Sequence, residues 1–181
     1  RSSDLFDEDE MSKNAHFIDD FERVATKAVA SKDYFLLVGP PGTGKTSRAL
    51  RRMVEKFYAR PETQILLLAY TNRAVDAICA SLDTIVPVVD YIRIGSELSC
   101  DERYRKHLVE NVLASCQKRK DVRDCLSACR VYVGTVASLS SKTELFKLKR
   151  FDVAIVDEAT QILEPQLLWI LSAKSSDGRD A

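Results

Sequence analysis

Apolar residues run along this chain in two rhythms. Tyr34-Phe35-Leu36-Leu37-Val38, Ile65-Leu66-Leu67-Leu68-Ala69, Val131-Tyr132-Val133 and Val153-Ala154-Ile155-Val156 are short and continuously apolar, the pattern of strands buried on both faces. Val88 to Ile94 reads as one more strand, which makes five. Between the strands the period lengthens to that of a helix. His16 to Ala30 places Phe17, Ile18, Phe21, Val24, Ala25, Ala28 and Val29 at helical spacing. Thr46 to Tyr58 is helical in pattern and ends before Pro61, and Arg73 to Leu82 follows the second strand. Cys100 to Ala128 is helical and highly charged, a short helix follows Gly134-Thr135, and Leu163 to Leu171 forms a last one.

Strands alternating with helices predict an α/β fold, a parallel sheet with helices on both faces. Right-handed crossovers then bring every strand-to-helix loop to one edge, where such folds bind ligands. The first fourteen residues carry Asp4, Asp7, Glu8, Asp9 and Glu10 with little to bury, and read as a mobile acidic tail. Residues 15–181 then form one domain, with a helical insertion at about 100–129.

Composition changes little. The 181 residues include 27 basic and 27 acidic ones, so no global charge draws the chain to nucleic acid or to a membrane, and polyanion binding has to come from local patches. No run approaches the length of a membrane-spanning helix, and the N-terminus is the opposite of a secretory signal. Five scattered cysteines (Cys79, Cys100, Cys116, Cys125 and Cys129) are expected as reduced thiols in a cytoplasmic protein. Cys125 and Cys129 lie i,i+4, but no pair has two-residue spacing, so a metal centre is not expected.

Two segments carry the chemistry. Residues 39–46 read GPPGTGKT, between a strand and a helix. In Gly39, Pro40, Pro41, Gly42, Thr43, Gly44, Lys45 and Thr46 the glycines let backbone N–H groups turn inward around a β-phosphate. Lys45 would neutralise the β- and γ-phosphates, Thr46 would ligate Mg²⁺, and the helix would aim its positive end at the same anion. Residues 157–161 read DEATQ at the end of a strand. Asp157 would hold Mg²⁺, Glu158 would orient and deprotonate the attacking water, and Gln161, about one turn on, could sense the γ-phosphate. The alternatives are a glycine-rich turn and a solvated acidic pair; the two motifs in this order favour an ATP site.

GPPGTGKT (39–46), AYTNRAVDAIC (69–79), VGTVAS (133–138) and VDEATQ (156–161) together resemble superfamily 1 helicases. The similarity is to the branch holding the nonsense-mediated-decay helicases and the replication helicase–nucleases, and DYFLLVGPPGTGKT (33–46) favours the replication type. The resemblance implies a RecA-like P-loop NTPase fold, the first of two motor domains, ATP and Mg²⁺ as ligands, and a monomeric 5′–3′ DNA helicase of replication or repair. RNA remains open as the track. It also implies that Thr71, Asn72 and Arg73, and Gly134 and Thr135, touch a single-stranded backbone; from local sequence alone, N-capping accounts for the same residues. The family's third motif and second RecA-like domain lie beyond Ala181, together with the arginines that stabilise the transferring phosphate. The chain is therefore expected to be a fragment of a motor that binds nucleotide with little turnover. The family usually carries a glutamine near the position of Phe21. Here the only glutamines are Gln64, Gln117, Gln161 and Gln166, all downstream, which leaves adenine to Phe17, Phe21 or backbone groups. The basic stretch from Arg103 to Arg130 grips DNA or forms a solvated helix face; the interleaved acids favour the second.

Overall fold

Ile65–Ala69 (β1) is buried at every position, and its side chains divide by parity. Ile65, Leu67 and Ala69 enter one hydrophobic cluster and Leu66 and Leu68 the other, as a two-residue period requires of a central strand. The computed structural model describes residues 20–142, 145, 149–163 and 165–166. It contains one four-stranded, all-parallel sheet in the order β2-β3-β1-β4, with β2 at Tyr91–Ile94, β3 at Val131–Thr135 and β4 at Val153–Val156.

Helices cover both faces. One face carries α1 (20–30, through Ala25 and Ala28), a wide-turned segment Lys45–Leu50 that runs into α2 (Arg51–Tyr58), and α3 (Asn72–Leu82). The other carries α5 (Arg119–Ala128) through Leu126, and α6 (Val136–Ser140) through Val136 and Leu139, beside Leu145 and Phe151. The short α4 (Val109–Val112) packs against this second cluster at its margin. The α/β class with a doubly covered parallel sheet is thus as expected.

Three expectations need correction. Residues 34–38 form no strand: they run outside the sheet with Tyr34, Leu36 and Val38 at 85%, 73% and 81% exposure. A parallel strand exists only where a neighbour satisfies its N–H and C=O groups. Among the described residues the edge strand β4 pairs only with β1. Its side chains are half-buried or exposed. The sheet therefore has four strands, not five.

The strand expected from Val88 begins at Tyr91, because the preceding Val86 and Val88 flank a proline and lie 90% and 77% exposed. The helix expected over Cys100–Ala128 is broken into a 3₁₀ segment Glu102–His107, α4 and α5. Leu108 interrupts it: it takes an extended conformation, forms an isolated parallel bridge with Arg93, and is buried to 2% exposure. Burial of one leucine in the core overrides helical propensity here. The acidic tail, Phe17 and nearly all of the helix expected over Leu163–Leu171 lie outside the described residues. Among the described residues no helix is long and apolar enough to cross a membrane.

Candidate nucleotide site

The loop 39–46 is closed by its own side chains. Thr43 Oγ1 donates to the Pro40 carbonyl at 2.8 Å, and Lys45 Nζ donates to the carbonyls of Gly39 and Pro40 at 2.5 and 2.7 Å. The ammonium lies across the mouth of the loop, bonded to carbonyls that an incoming phosphate would replace as its partners. Gly42 and Gly44 have φ of 76° and 82°, the left-handed region that glycine enters without a Cβ penalty. Gly44 is the N-cap of the following segment, and its carbonyl accepts from both Arg48 N (2.9 Å) and Ala49 N (3.0 Å). That doubled acceptance is the wide first turn.

The carboxylates arrive from β4. Asp157 N donates to the Leu68 carbonyl at 2.8 Å, which continues the β1–β4 ladder past the last strand residue. Its Oδ2 accepts the Thr46 hydroxyl at 2.6 Å and its Oδ1 accepts the Glu158 N–H at 3.0 Å. Glu158 is the one described non-glycine residue with positive φ (54°). Strain of that kind costs on the order of 1–3 kcal/mol and concentrates at functional sites. Gln161 Nε2 donates to Glu158 Oε2 at 3.2 Å. Thr46, Asp157 and Glu158 are oxygen donors only, a set suited to a hard cation such as Mg²⁺. Among the described residues no cluster of three or more His, Cys, Asp or Glu forms a metal centre.

The same edge carries the other motif residues, because β1 lies between β3 and β4 with Ala69 in register with Thr135. Thr71 is exposed and caps α3, accepting from Ala74 N at 3.1 Å. Asn72 is half-buried and Arg73 exposed. Thr135 caps α6 through Ser138 N at 3.0 Å, shares a 2.7 Å bond with Ser138 Oγ, and is only 5% exposed. A Cβ on buried Gly134 would lie 2.7 Å from Leu139 Cδ1 and 3.1 Å from the Ile94 carbonyl, so packing alone requires glycine there. Both threonines do the capping work that their local sequence suggests.

Three residues around the site, Ser81, Arg48 and Arg93, were not singled out from the sequence. Ser81 donates to the Thr46 carbonyl at 3.2 Å. Arg48 lies 6.0 Å from the Phe21 ring centroid, and a Cβ on Gly44 would lie 3.3 Å from Phe21 Cζ, so Phe21 borders the loop. Arg93, 1% exposed on β2, contacts the carboxylate of Asp76. A charge inside the apolar run Tyr91–Ile94 was the available signal for Arg93; Ser81 carried none.

A parallel sheet with a lysine-bearing phosphate loop tied to an acidic strand end defines a P-loop nucleotide-binding domain. The profile of the family described as AAA domain matches residues 17–120 and 111–176. The DNA replication ATP-dependent helicase/nuclease JHS1 of Arabidopsis thaliana is 33% identical over 81% of this chain and 10% of its own length. DNA replication ATP-dependent helicase/nuclease DNA2 of Bos taurus is 34% identical over 78% of this chain and 13% of its own length. RNA helicase Mov10l1 of Homo sapiens is 27% identical over 85% of this chain and 13% of its own length. The chain thus belongs to the AAA-domain family, as a first motor domain of the superfamily 1 helicase type, and spans only 10–13% of the length of these three relatives.

Proposed function

We propose that this chain is the ATP-binding and ATP-hydrolysing motor domain of a 5′–3′ helicase that moves along single-stranded DNA in replication or repair. The observation that carries this reading is the joining of Thr46 to Asp157 at 2.6 Å beside Lys45, on the same sheet edge as Thr71 and Thr135. The names of the helicase/nuclease relatives support DNA as the track.

In this reading Lys45 leaves the Gly39 and Pro40 carbonyls for the β- and γ-phosphates, and the loop N–H groups hold the β-phosphate. Thr46 and Asp157 hold Mg²⁺, which when bound offsets charge on the phosphates. Glu158 accepts the proton of the attacking water, while Gln161 holds its carboxylate in place. Asn72, Arg73 and the backbone at the starts of α3 and α6 meet sugar and phosphate, contacts that position a strand without reading its sequence. A second RecA-like domain supplies an arginine to the γ-phosphate, a contribution on the order of 10³–10⁵ in rate. Residues 1–181 alone then bind nucleotide and turn it over near background. The protein acts as a cytoplasmic monomer.

RNA as the track is the second reading, favoured by the similarity to an RNA helicase. The test is the ATPase rate of the natural protein carrying this domain, measured with matched single-stranded DNA and RNA. Stimulation by DNA alone supports the first reading and stimulation by RNA alone the second. No stimulation by either overturns both.

A further inference from the structure

α3 reaches both ends of this machinery. Its N-terminus is the Thr71–Arg73 turn, and about 14 Å away along the helix axis its last turn carries Ser81. The Ser81 hydroxyl is within bonding distance of two carbonyls, that of Ala77 in its own helix and that of Thr46 in the phosphate-loop segment, each at 3.2 Å. Thr46 in turn holds Asp157. An unbroken chain of contacts therefore runs from the start of α3 to the carboxylate at the end of β4.

Midway along, α3 is pinned from the side. Arg93 on β2 is 1% exposed, and its guanidinium meets the Asp76 carboxylate through one terminal nitrogen, which also lies 3.7 Å from Cys79 Sγ. The other terminal nitrogen donates to the Ser99 carbonyl at 3.4 Å, in the 3₁₀ turn Glu97–Ser99 that leads into the insertion. Its Nε has no hydrogen-bond partner among the described residues. A buried ion pair that leaves a donor unsatisfied is poor value as a stabiliser, and an apolar side chain of similar volume would do as well. What the pair does provide is a fixed position: α3 cannot slide along β2 without stripping a buried guanidinium of its carboxylate.

We propose that α3 is a strut, set in place by the Arg93–Asp76 pair, through which occupancy of its N-terminus by nucleic acid reaches Thr46 by way of Ser81. Arg93, Asp76 and Ser81 are positioning residues: none touches nucleotide or strand. A shift of α3 along its axis moves the Thr46 peptide, and with it the hydroxyl that faces Asp157. This rests on the reading of Thr71–Arg73 as a nucleic-acid contact.

The test uses the natural protein carrying this domain, with short oligodeoxythymidylate and oligouridylate as probes. Ser81→Ala should keep basal ATPase within about twofold while the stimulation by oligonucleotide falls about fivefold or more, the size of a modest coupling. Ser81→Thr, which keeps the hydroxyl, should retain stimulation. Binding coupling is reciprocal, so whatever factor oligonucleotide imposes on nucleotide affinity in the unsubstituted protein, nucleotide should impose on oligonucleotide affinity, and both factors should fall toward one in Ser81→Ala. A double-substitution cycle of Arg93→Lys and Asp76→Asn on the stimulation ratio should be non-additive; should these variants fail to fold, the Ser81 pair decides alone. Stimulation of the unsubstituted protein that survives in Ser81→Ala overturns the strut and leaves the helicase reading standing. A protein that no oligonucleotide stimulates overturns that reading, and the strut with it.

Discussion

The Thr46 hydroxyl donates to Asp157 Oδ2 at 2.6 Å across 111 positions of sequence. One residue begins the helix after the phosphate loop and the other ends β4, so this single bond joins the two halves of the site. Asp157 spends its other oxygen on the Glu158 N–H. The carboxylate is thereby oriented before any ligand arrives, as a preorganised site requires.

Replacing Thr46 by valine keeps the volume and removes the bond. A hydrogen bond to a charged group contributes about 1.5–3 kcal/mol, and the half-buried position places the loss near the lower end. Urea unfolding should report that destabilisation, and nucleotide affinity should lose most of its dependence on Mg²⁺. An affinity that keeps its full Mg²⁺ dependence in Thr46→Val would remove the threonine as a ligand.

Lys45 and Glu158 should separate binding from chemistry. Lys45→Ala deletes the ammonium bonded to the loop carbonyls of Gly39 and Pro40, and nucleotide affinity should fall by about 10²-fold, as for lost charge-assisted bonds. Glu158→Gln keeps size and the contact with Gln161, so affinity should stay within a few-fold. Hydrolysis by the natural protein carrying the domain should then drop on the order of 10²–10⁴. Calorimetry for binding and phosphate release for turnover check the two arms, and unchanged turnover in Glu158→Gln would exclude it as the base.

Much of this was legible in the sequence. The unbroken apolar runs at 65–69, 131–133 and 153–156 announced buried parallel strands, and glycines with a lysine between strand and helix announced the phosphate loop. What failed was long-range. Tyr34–Val38 looks like the other strands, but strand pairing depends on a neighbour that no local window can show. Leu108 looks like one more helical position until its burial beside Arg93 breaks the helix. The Ser81 bond to Thr46 joins residues 35 positions apart through a hydroxyl and a carbonyl, and nothing in composition or period marks it.

Two glycines should resist substitution for different reasons. Gly44→Ala forces a Cβ into a backbone with φ of 82° and to 3.3 Å from both Phe21 and Arg48. A cost of about 1–2 kcal/mol is expected from the left-handed conformation alone. Gly134→Ala has no positive φ to oppose it; its Cβ meets Leu139 at 2.7 Å, an overpacking cost of about 1–3 kcal/mol. Thermal unfolding should fall in both variants. Only Gly44→Ala should also weaken nucleotide binding, since Gly44 belongs to the loop while Gly134 packs against Ile94 and Leu139.

Alkaline pH should loosen the α3 side of the core. Cys79 is fully buried, and burial, the largest influence, pushes its thiol up to about 11 from the ordinary 9.0 despite the nearby Arg93 guanidinium. Burial likewise raises the Tyr91 phenol above its ordinary value. Unfolded, the thiol loses its proton near pH 9; folded, it keeps it to about pH 11, so between these values the native state binds more protons. Its contribution is therefore complete below pH 9 and is lost as pH rises through 11, roughly 3 kcal/mol in all for a shift of about two units. Lys149 works in the other direction: burial lowers its ammonium, so stability from that group grows as pH approaches the ordinary lysine value. Comparing the protein with Cys79→Ala cancels Lys149, which Cys79 does not influence, and reports the thiol together with its effect on the neighbouring Tyr91 phenol, which Cys79 helps to raise. The unfolding free energy of the unsubstituted protein minus that of Cys79→Ala should shrink by about 2 kcal/mol between pH 8 and 10.5. A difference that stays constant across that range would mean that the Cys79 thiolate is tolerated in the folded core, with the Arg93 guanidinium outweighing burial.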